Sequence, residues 1–341
     1  MKIFDSHAHY NDEKFDLDRE TLLEKIYAGD VKRIINAGYD VLSSQLAVKM
    51  AELYPEMYAI CGISPNNLPE VKYGIKMDTI SQIYKKIEQI REIAQNKKVV
   101  GIGEIGLDYY WTKDNKDAQK LAFQEQIKLA NDLKLPISIH CRDAYLDTIA
   151  ILKENPVNKK GVFHCVQLNR ELIREALEIG FYVSFAGYIT FKNAVNSDPI
   201  IEMVPLDRML VETDSPYMAP EPNRGTRNDS RNLEHIIRKI AKVKNLTEEE
   251  VAEQTYKNAS KLFGIRTKTA KKEPEPETIK VAKTEKKQKT VAKKETKKKE
   301  PVKKETKTTK TNSAKPATKA KTATKKEEKN KTKTRKTKKD A

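Results

Sequence analysis

Eight short runs rich in Val, Ile, Phe and Tyr recur between Met1 and Ile265, each followed by a longer stretch with helical periodicity. The candidate strands are Lys2–Asp5, Arg33–Asn36, Tyr58–Cys61, Val99–Ile102, Ile137–His140, Gly161–His164, Tyr182–Phe185 and Met209–Glu212. Between them the spacing predicts amphipathic helices, for example Asn115 to Lys134 with Leu121, Phe123, Ile127, Leu129 and Leu133 on one face. Strand and helix in alternation place the chain in the α/β class. Eight repeats over about 250 residues is the count that closes a TIM (β/α)8 barrel. Periodicity does not reveal closure, so an open, doubly wound sheet is the alternative topology.

The rhythm stops at Ala259-Ser260-Lys261-Leu262-Phe263-Gly264-Ile265. Beyond it the chain is Lys, Thr, Ala, Glu and Pro, with no aromatic residue and almost no large aliphatic one. Such a segment cannot bury enough surface to offset a chain entropy of about 1–2 kcal/mol per residue. Two parts are therefore expected: a folded body over 1–265 and a disordered, basic, low-complexity tail over 266–341. Charge divides at the same place. From Arg266 onward there are 30 Lys+Arg against 10 Asp+Glu, a balance of +20 beside +17 for the whole chain, so the body is slightly acidic.

Several classes are disfavoured. No apolar run approaches the 18 or so residues of a membrane span. The opening Met1-Lys2-Ile3-Phe4-Asp5-Ser6-His7 carries charge where a signal peptide is apolar. Three cysteines, Cys61, Cys141 and Cys165, do not make a disulfide framework. A reducing, cytoplasmic protein without a membrane partner is expected, and a monomer.

Of only five histidines, four fall at or just past the C-terminal end of a predicted strand. His7 and His9 follow the first, His140 ends the fifth and His164 the sixth. Glu104 follows the fourth strand and Asp214 the eighth. In a TIM barrel that rim is where active sites are built. Residues i and i+2 of an extended strand share a face, so His7 and His9 can reach one cation. Glu104 is flanked by Gly103 and Gly106, which let the backbone bend and bring its carboxylate over the mouth. Any one of these residues has an ordinary reading as a buried histidine or an ion-pair partner. All six together at one end of different strands have none. His7, His9, Glu104, His140, His164 and Asp214 are the candidate metal ligands. The donors suit Zn, Mn, Fe or Co, with Mg less suited because it takes more oxygen ligands. The fifth histidine, His235, sits in a predicted helix and needs no role.

At these residues the chain resembles the TatD family of metal-dependent deoxyribonucleases, within the amidohydrolase-like barrels. The resemblance rests on Phe4-Asp5-Ser6-His7-Ala8-His9, Gly103-Glu104-Ile105-Gly106-Leu107-Asp108-Tyr109-Tyr110 and Ile139-His140-Cys141-Arg142-Asp143-Ala144. It continues through Val162-Phe163-His164-Cys165, Tyr188-Ile189-Thr190-Phe191-Lys192-Asn193 and Glu212-Thr213-Asp214-Ser215-Pro216-Tyr217. It implies two divalent ions, with His7, His9 and Asp214 on one, His140 and His164 on the other, and Glu104 bridging. It implies metal-assisted hydrolysis of DNA, often from the 3′ end of single strands and in some members of RNA, with Asp214 as general base. Arg142, then Arg224, are the first candidates to fork onto phosphate oxygens. Tyr109 and Tyr110, with Trp111, are candidates to stack on a base.

Three stretches depart from the family pattern. Gly62-Ile63-Ser64-Pro65-Asn66 stands where two imidazoles usually face the substrate. Cys165-Val166-Gln167-Leu168 replaces Cys-Phe-Ser-Gly, and Arg224-Gly225-Thr226-Arg227-Asn228 lacks the usual Lys after Gly. None removes a candidate ligand. They leave a small ester, lactone or amide as the competing substrate class. A nucleic-acid-binding adaptor that uses the barrel only as a scaffold is the third reading. The +20 tail is expected to hold DNA or RNA phosphates by counterion release, tethering the enzyme near its substrate.

Overall fold

The computed structural model describes residues 1–68 and 77–266; the Lys-rich segment expected to be disordered lies outside the described residues from 267 on. Eight strands alternate with nine helices among those described: β1 (Ile3–Ala8), α1 (Arg19–Ala28), β2 (Val31–Ala37), α2 (Val41–Leu53), β3 (Met57–Cys61), α3 (Met77–Ile93), β4 (Val99–Asp108), α4 (Lys116–Leu133), β5 (Ile137–Arg142), α5 (Tyr145–Glu154), β6 (Gly161–Phe163), α6 (Arg170–Glu178), β7 (Tyr182–Phe185), α7 (Ser197–Met203), β8 (Met209–Val211), α8 (Leu233–Lys244) and α9 (Glu248–Leu262). The strands lie in sequential order and every pairing is parallel. Past β8 the sheet meets its own start. The Asp214 amide donates to the His7 carbonyl at 3.0 Å, and the His9 amide to the Ser215 carbonyl at 2.7 Å. The architecture is the TIM barrel, not an open sheet.

Phe4, Ile35, Ile60, Val100, Val162, Tyr182 and Leu210 come from seven different strands and form one buried cluster. Side chains from so many strands meet only on the barrel axis. Leu262, Phe263 and Ile265 join the same cluster, so the end of α9 plugs the N-terminal mouth. A far larger apolar layer lies between strands and helices. Above the plug the axis turns polar and small: Ser6 Oγ donates to the Val211 carbonyl at 3.0 Å and lies 3.1 Å from Ser184 Oγ. Apolar filling at one end leaves the C-terminal end for chemistry. Truncating the plug, Phe263→Ala, should cost about 3–5 kcal/mol in denaturant unfolding, the usual range for a buried phenylalanine. A loss under about 1 kcal/mol would show that the mouth closes without it.

Local rules account for most element ends. The expected helix Asn115–Lys134 is α4, with both named residues as its caps, Lys134 in the left-handed conformation. Thr247 and Glu250 form a capping box that starts α9. At their C-terminal ends β1 and β4 outrun the expectation furthest. β1 continues through Asp5, Ser6 and His7 to Ala8, and β4 continues past Ile102 to Asp108. The expected ends fall at a polar residue, Asp5, and just before a glycine, Gly103. Here the polar groups are buried along the strand and satisfied there: Asp5 accepts from Thr213 and Ser230. No helix among the described residues is long and apolar enough to cross a membrane.

Candidate metal centre

His7 lies in β1 and His9 one residue past it, with their Nε2 atoms 3.2 Å apart. Metal–nitrogen bonds of about 2.0–2.1 Å place two ligating nitrogens at about this separation. His9 Nδ1 is 3.0 Å from the Ala37 carbonyl, which only accepts, so that nitrogen carries the proton and Nε2 keeps its lone pair. That lone pair faces Asp214 Oδ1 at 3.3 Å. Two acceptors held this close need positive charge between them. Burial alone disfavours a charged His9, yet Asp214 and Glu104 outweigh it and raise its pKa.

Glu104 stands between two pairs of imidazoles. Its Oε2 is 3.7 Å from Nε2 of both His7 and His9, whereas its Oε1 is 3.0 Å from His140 Nδ1 and 3.5 Å from His164 Nε2. The His164 ring stacks on His7 at 4.0 Å, and neither of its nitrogens has a hydrogen-bond partner among the described residues. Burial works against a charged Glu104, but His164, His140 and His7 hold its carboxyl well below the usual range. The His7 pKa is lowered, opposite to that of His9, because burial and the neighbouring His164 both disfavour positive charge there. Ligand atoms of His7, His9 and Asp214 lie within 4.8 Å of one another, as do those of His7, Glu104 and His164. The donor set fits divalent cations: buried, mixed imidazole and carboxylate, with lone pairs converging.

The bend expected from the glycines is a β-bulge. Between Ile102↔Ile137 and Ile105↔Ile139 β4 spends one residue more than β5, and Glu104 lies in that extra length. Gly106 then passes so close to β5 that a Cβ there would sit 2.0 Å from the His140 carbonyl oxygen. The glycines allow close strand approach as much as bending.

Around the rim the candidate substrate residues separate. Arg142, the last residue of β5, lays its guanidinium over Tyr110 at 3.9 Å and near Trp111 at 5.4 Å, both rings being exposed. Tyr109 is committed elsewhere: its hydroxyl donates to Asp147 on α5 at 2.6 Å, and Lys116 covers its ring. Arg224 is exposed on the loop after β8 and stacks on Phe191 at 4.2 Å.

Sequence reasoning missed several groups here. Glu212 Oε1 lies 3.4 Å from His164 Nδ1 and accepts from the Cys165 amide at 2.6 Å. Its i, i+2 spacing to Asp214 is the signal that singled out His7 and His9. Asp108 Oδ2 is 2.8 Å from His140 Nε2. Burial opposes its ionisation, but His140, the Trp111 amide and Asn66 hold its carboxyl at about 2. Ser64 Oγ lies 3.5 Å from Glu104 Oε1, and Asn66 Nδ2 donates to Asp108 at 3.2 Å, so the residues in place of the family imidazoles face the centre's carboxylates. On the far side Tyr39 packs edge-on against His9 and Lys14 caps Tyr217. A roomy cavity of about 1270 Å³ lies apart from all of this, lined by Tyr27, Tyr54 and Tyr256, and it contains none of the candidate ligands.

Barrel and donor set together define a metal-dependent hydrolase. Residues 4–264 match the family described as TatD related DNase, and the chain belongs to that family. It is 40% identical over 264 residues to the uncharacterized metal-dependent hydrolase YabD of Bacillus subtilis (strain 168), covering 77% of this chain and 99% of that protein. It is 30% identical to the 3′-5′ ssDNA/RNA exonuclease TatD of Citrobacter rodentium (strain ICC168), covering 79% of this chain and 100% of the relative. Among solved structures, the TatD homologue YJJV of Escherichia coli K12 superposes with a TM-score of 0.70 at 25% identity, over 77% of this chain and 98% of that one.

Proposed function

We propose that this chain is a two-metal phosphodiesterase that hydrolyses single-stranded DNA, and RNA, from the 3′ end. The observation that carries the reading is Glu104, whose two oxygens face separate imidazole groups, His7 and His9 on one side and His140 and His164 on the other. Divalent cations bound there supply Lewis acidity toward a phosphoryl oxygen and lower the pKa of water. His7, His9 and Asp214 would hold one cation, His140 and His164 the other, with Glu104 facing both. Asp214 is the general base. Its carboxylate and the His140 ring are the most exposed of the six side chains, at 14% and 20%, so Asp214 is open to the water whose proton it takes. Arg142 steadies the phosphate, and Tyr110 with Trp111 receives an unstacked base. The relative named as an ssDNA/RNA exonuclease supports the substrate class. Three unpaired cysteines fit a reducing, cytoplasmic setting.

The test uses metal-loaded protein on labelled single-stranded DNA, duplex DNA and RNA. Chelation should abolish cleavage and added Mn²⁺ or Zn²⁺ should restore it. Asp214→Asn should lower kcat by roughly 10²–10⁴, the span of general-base catalysis, with KM little changed. Turnover that survives both treatments would sink the reading. Ser64 and Asn66, in place of imidazoles, favour a second one: a small ester, lactone or amide substrate. Cleavage of such esters with no nucleic acid cut would establish it instead.

The basic tail serves this reading as a phosphate-binding arm. Removing everything after Ile265 should weaken binding to single-stranded DNA at low salt by roughly tenfold or more. It should also flatten the slope of log K against log salt by about 0.7 for each phosphate that the arm neutralises. Equal slopes for the two proteins would mean that the arm binds something else.

A further inference from the structure

We propose that Asp108 is a positioning residue that ties the aromatic rim to the metal centre, so that a cation at His140 and the Tyr110–Trp111 platform are set together. The proposal rests on the metal-centre reading above and goes beyond it by naming a link between cation and substrate platform. Asp108 is buried at the end of β4, and its two oxygens have separate duties. Oδ1 accepts from the backbone amides of Tyr110 and Trp111, both at 2.9 Å, and so fixes the turn that presents these rings to Arg142. Oδ2 takes His140 Nε2 at 2.8 Å and Asn66 Nδ2 at 3.2 Å.

A carboxylate only accepts, so His140 must carry its proton on Nε2 and present the Nδ1 lone pair toward Glu104 Oε1, 3.0 Å away. His140 would therefore ligate through Nδ1, with its orientation set by Asp108. The hub is itself braced. Gln119 of α4 accepts from the Asp108 amide at 2.8 Å and donates to its carbonyl at 3.0 Å. Asn66 supplies the fourth donor, which gives the departure at Gly62–Asn66 a part in the centre. A rotation of the Asp108 carboxyl would move ring and turn together.

Asp108→Asn isolates this role. Donors approach both oxygens, so an amide must aim its own NH2 at donors on one side whichever way it flips. The chain has a single tryptophan, Trp111, which reports on the rim without a label. Zinc-free, full-length protein is titrated with Zn²⁺, with binding followed by calorimetry and Trp111 followed by acrylamide quenching. The wild type should bind two ions, and the second should change the quenching. In Asp108→Asn one ion should bind about 10–100-fold more weakly and the quenching should no longer respond to zinc. On a His140→Ala background Asp108→Asn should cost no further affinity. Equal weakening on both backgrounds indicates general loosening and overturns the proposal. Unchanged zinc affinity and quenching in Asp108→Asn overturn it while leaving the metal centre intact. No zinc bound by the wild type overturns both. If Asp108→Asn does not fold, Asn66→Leu keeps the carboxylate and should weaken the same ion by a few-fold; no change there also overturns the link.

Discussion

Replacing Glu104 by alanine should abolish hydrolysis, with kcat falling by roughly 10⁴ or more, and the protein should lose high-affinity binding of both cations rather than one. The expectation follows from geometry. Among the described residues Glu104 is the only carboxylate within 4 Å of both histidine groups and the only one near His140 Nδ1. Without it four imidazoles remain, three of them buried, and Asp214 is the one acid left among the six candidate ligands. Divalent charge in such a pocket is poorly neutralised, because buried charge must be paired. Glu104→Gln separates charge from shape: the amide keeps the bulge filled yet offers a weaker ligand, and should retain the first cation at reduced affinity. Metal analysis of purified protein beside single-turnover cleavage checks both. Full cation occupancy in Glu104→Ala would show that the histidines suffice, and the bridging role would fall.

The fold was legible because a barrel strand buried on both faces is mostly apolar, and Tyr58–Cys61 or Val99–Ile102 allows few other readings. The ligands were legible for a related reason. Imidazoles are scarce in this chain, and a polar residue at the end of an apolar strand is costly unless it is used. The supporting groups were harder. Asp108 and Glu212 are carboxylates in a chain with 49 acidic residues, and their meaning lies in which ring nitrogen they face across strands. Tyr109 and Tyr110 are neighbours in sequence, but one ring is turned onto α5 while the other meets Arg142. Which of two adjacent aromatics faces the mouth is fixed by the turn that Asp108 caps, and no periodicity reports it. Ser64 and Asn66 read as losses against the family pattern; their approach to Glu104 and Asp108 shows polar groups placed where the centre has carboxylates to hold.

Gly106→Ala should be among the most damaging single-methyl additions in the barrel. At φ +139° the backbone occupies a region that side chains avoid, and the new Cβ would lie 2.0 Å from the His140 carbonyl oxygen. That neighbour is backbone, paired in register with Gly106, so no rotamer change relieves the overlap. β4 and β5 must part where Glu104 and His140 depend on their spacing. The expected cost exceeds about 4 kcal/mol, beyond the range of ordinary substitutions. Thermal melting should show either a large drop in Tm or insoluble protein, and any folded fraction should lack the cation at His140. Gly225→Ala is the matched control. Its φ is also positive, at +90°, but nothing lies within 4 Å of the added methyl. Only conformational strain of about 1–2 kcal/mol should appear there. If the two variants melt alike, positive φ alone accounts for Gly106, and the close approach of β4 to β5 is not what requires a glycine.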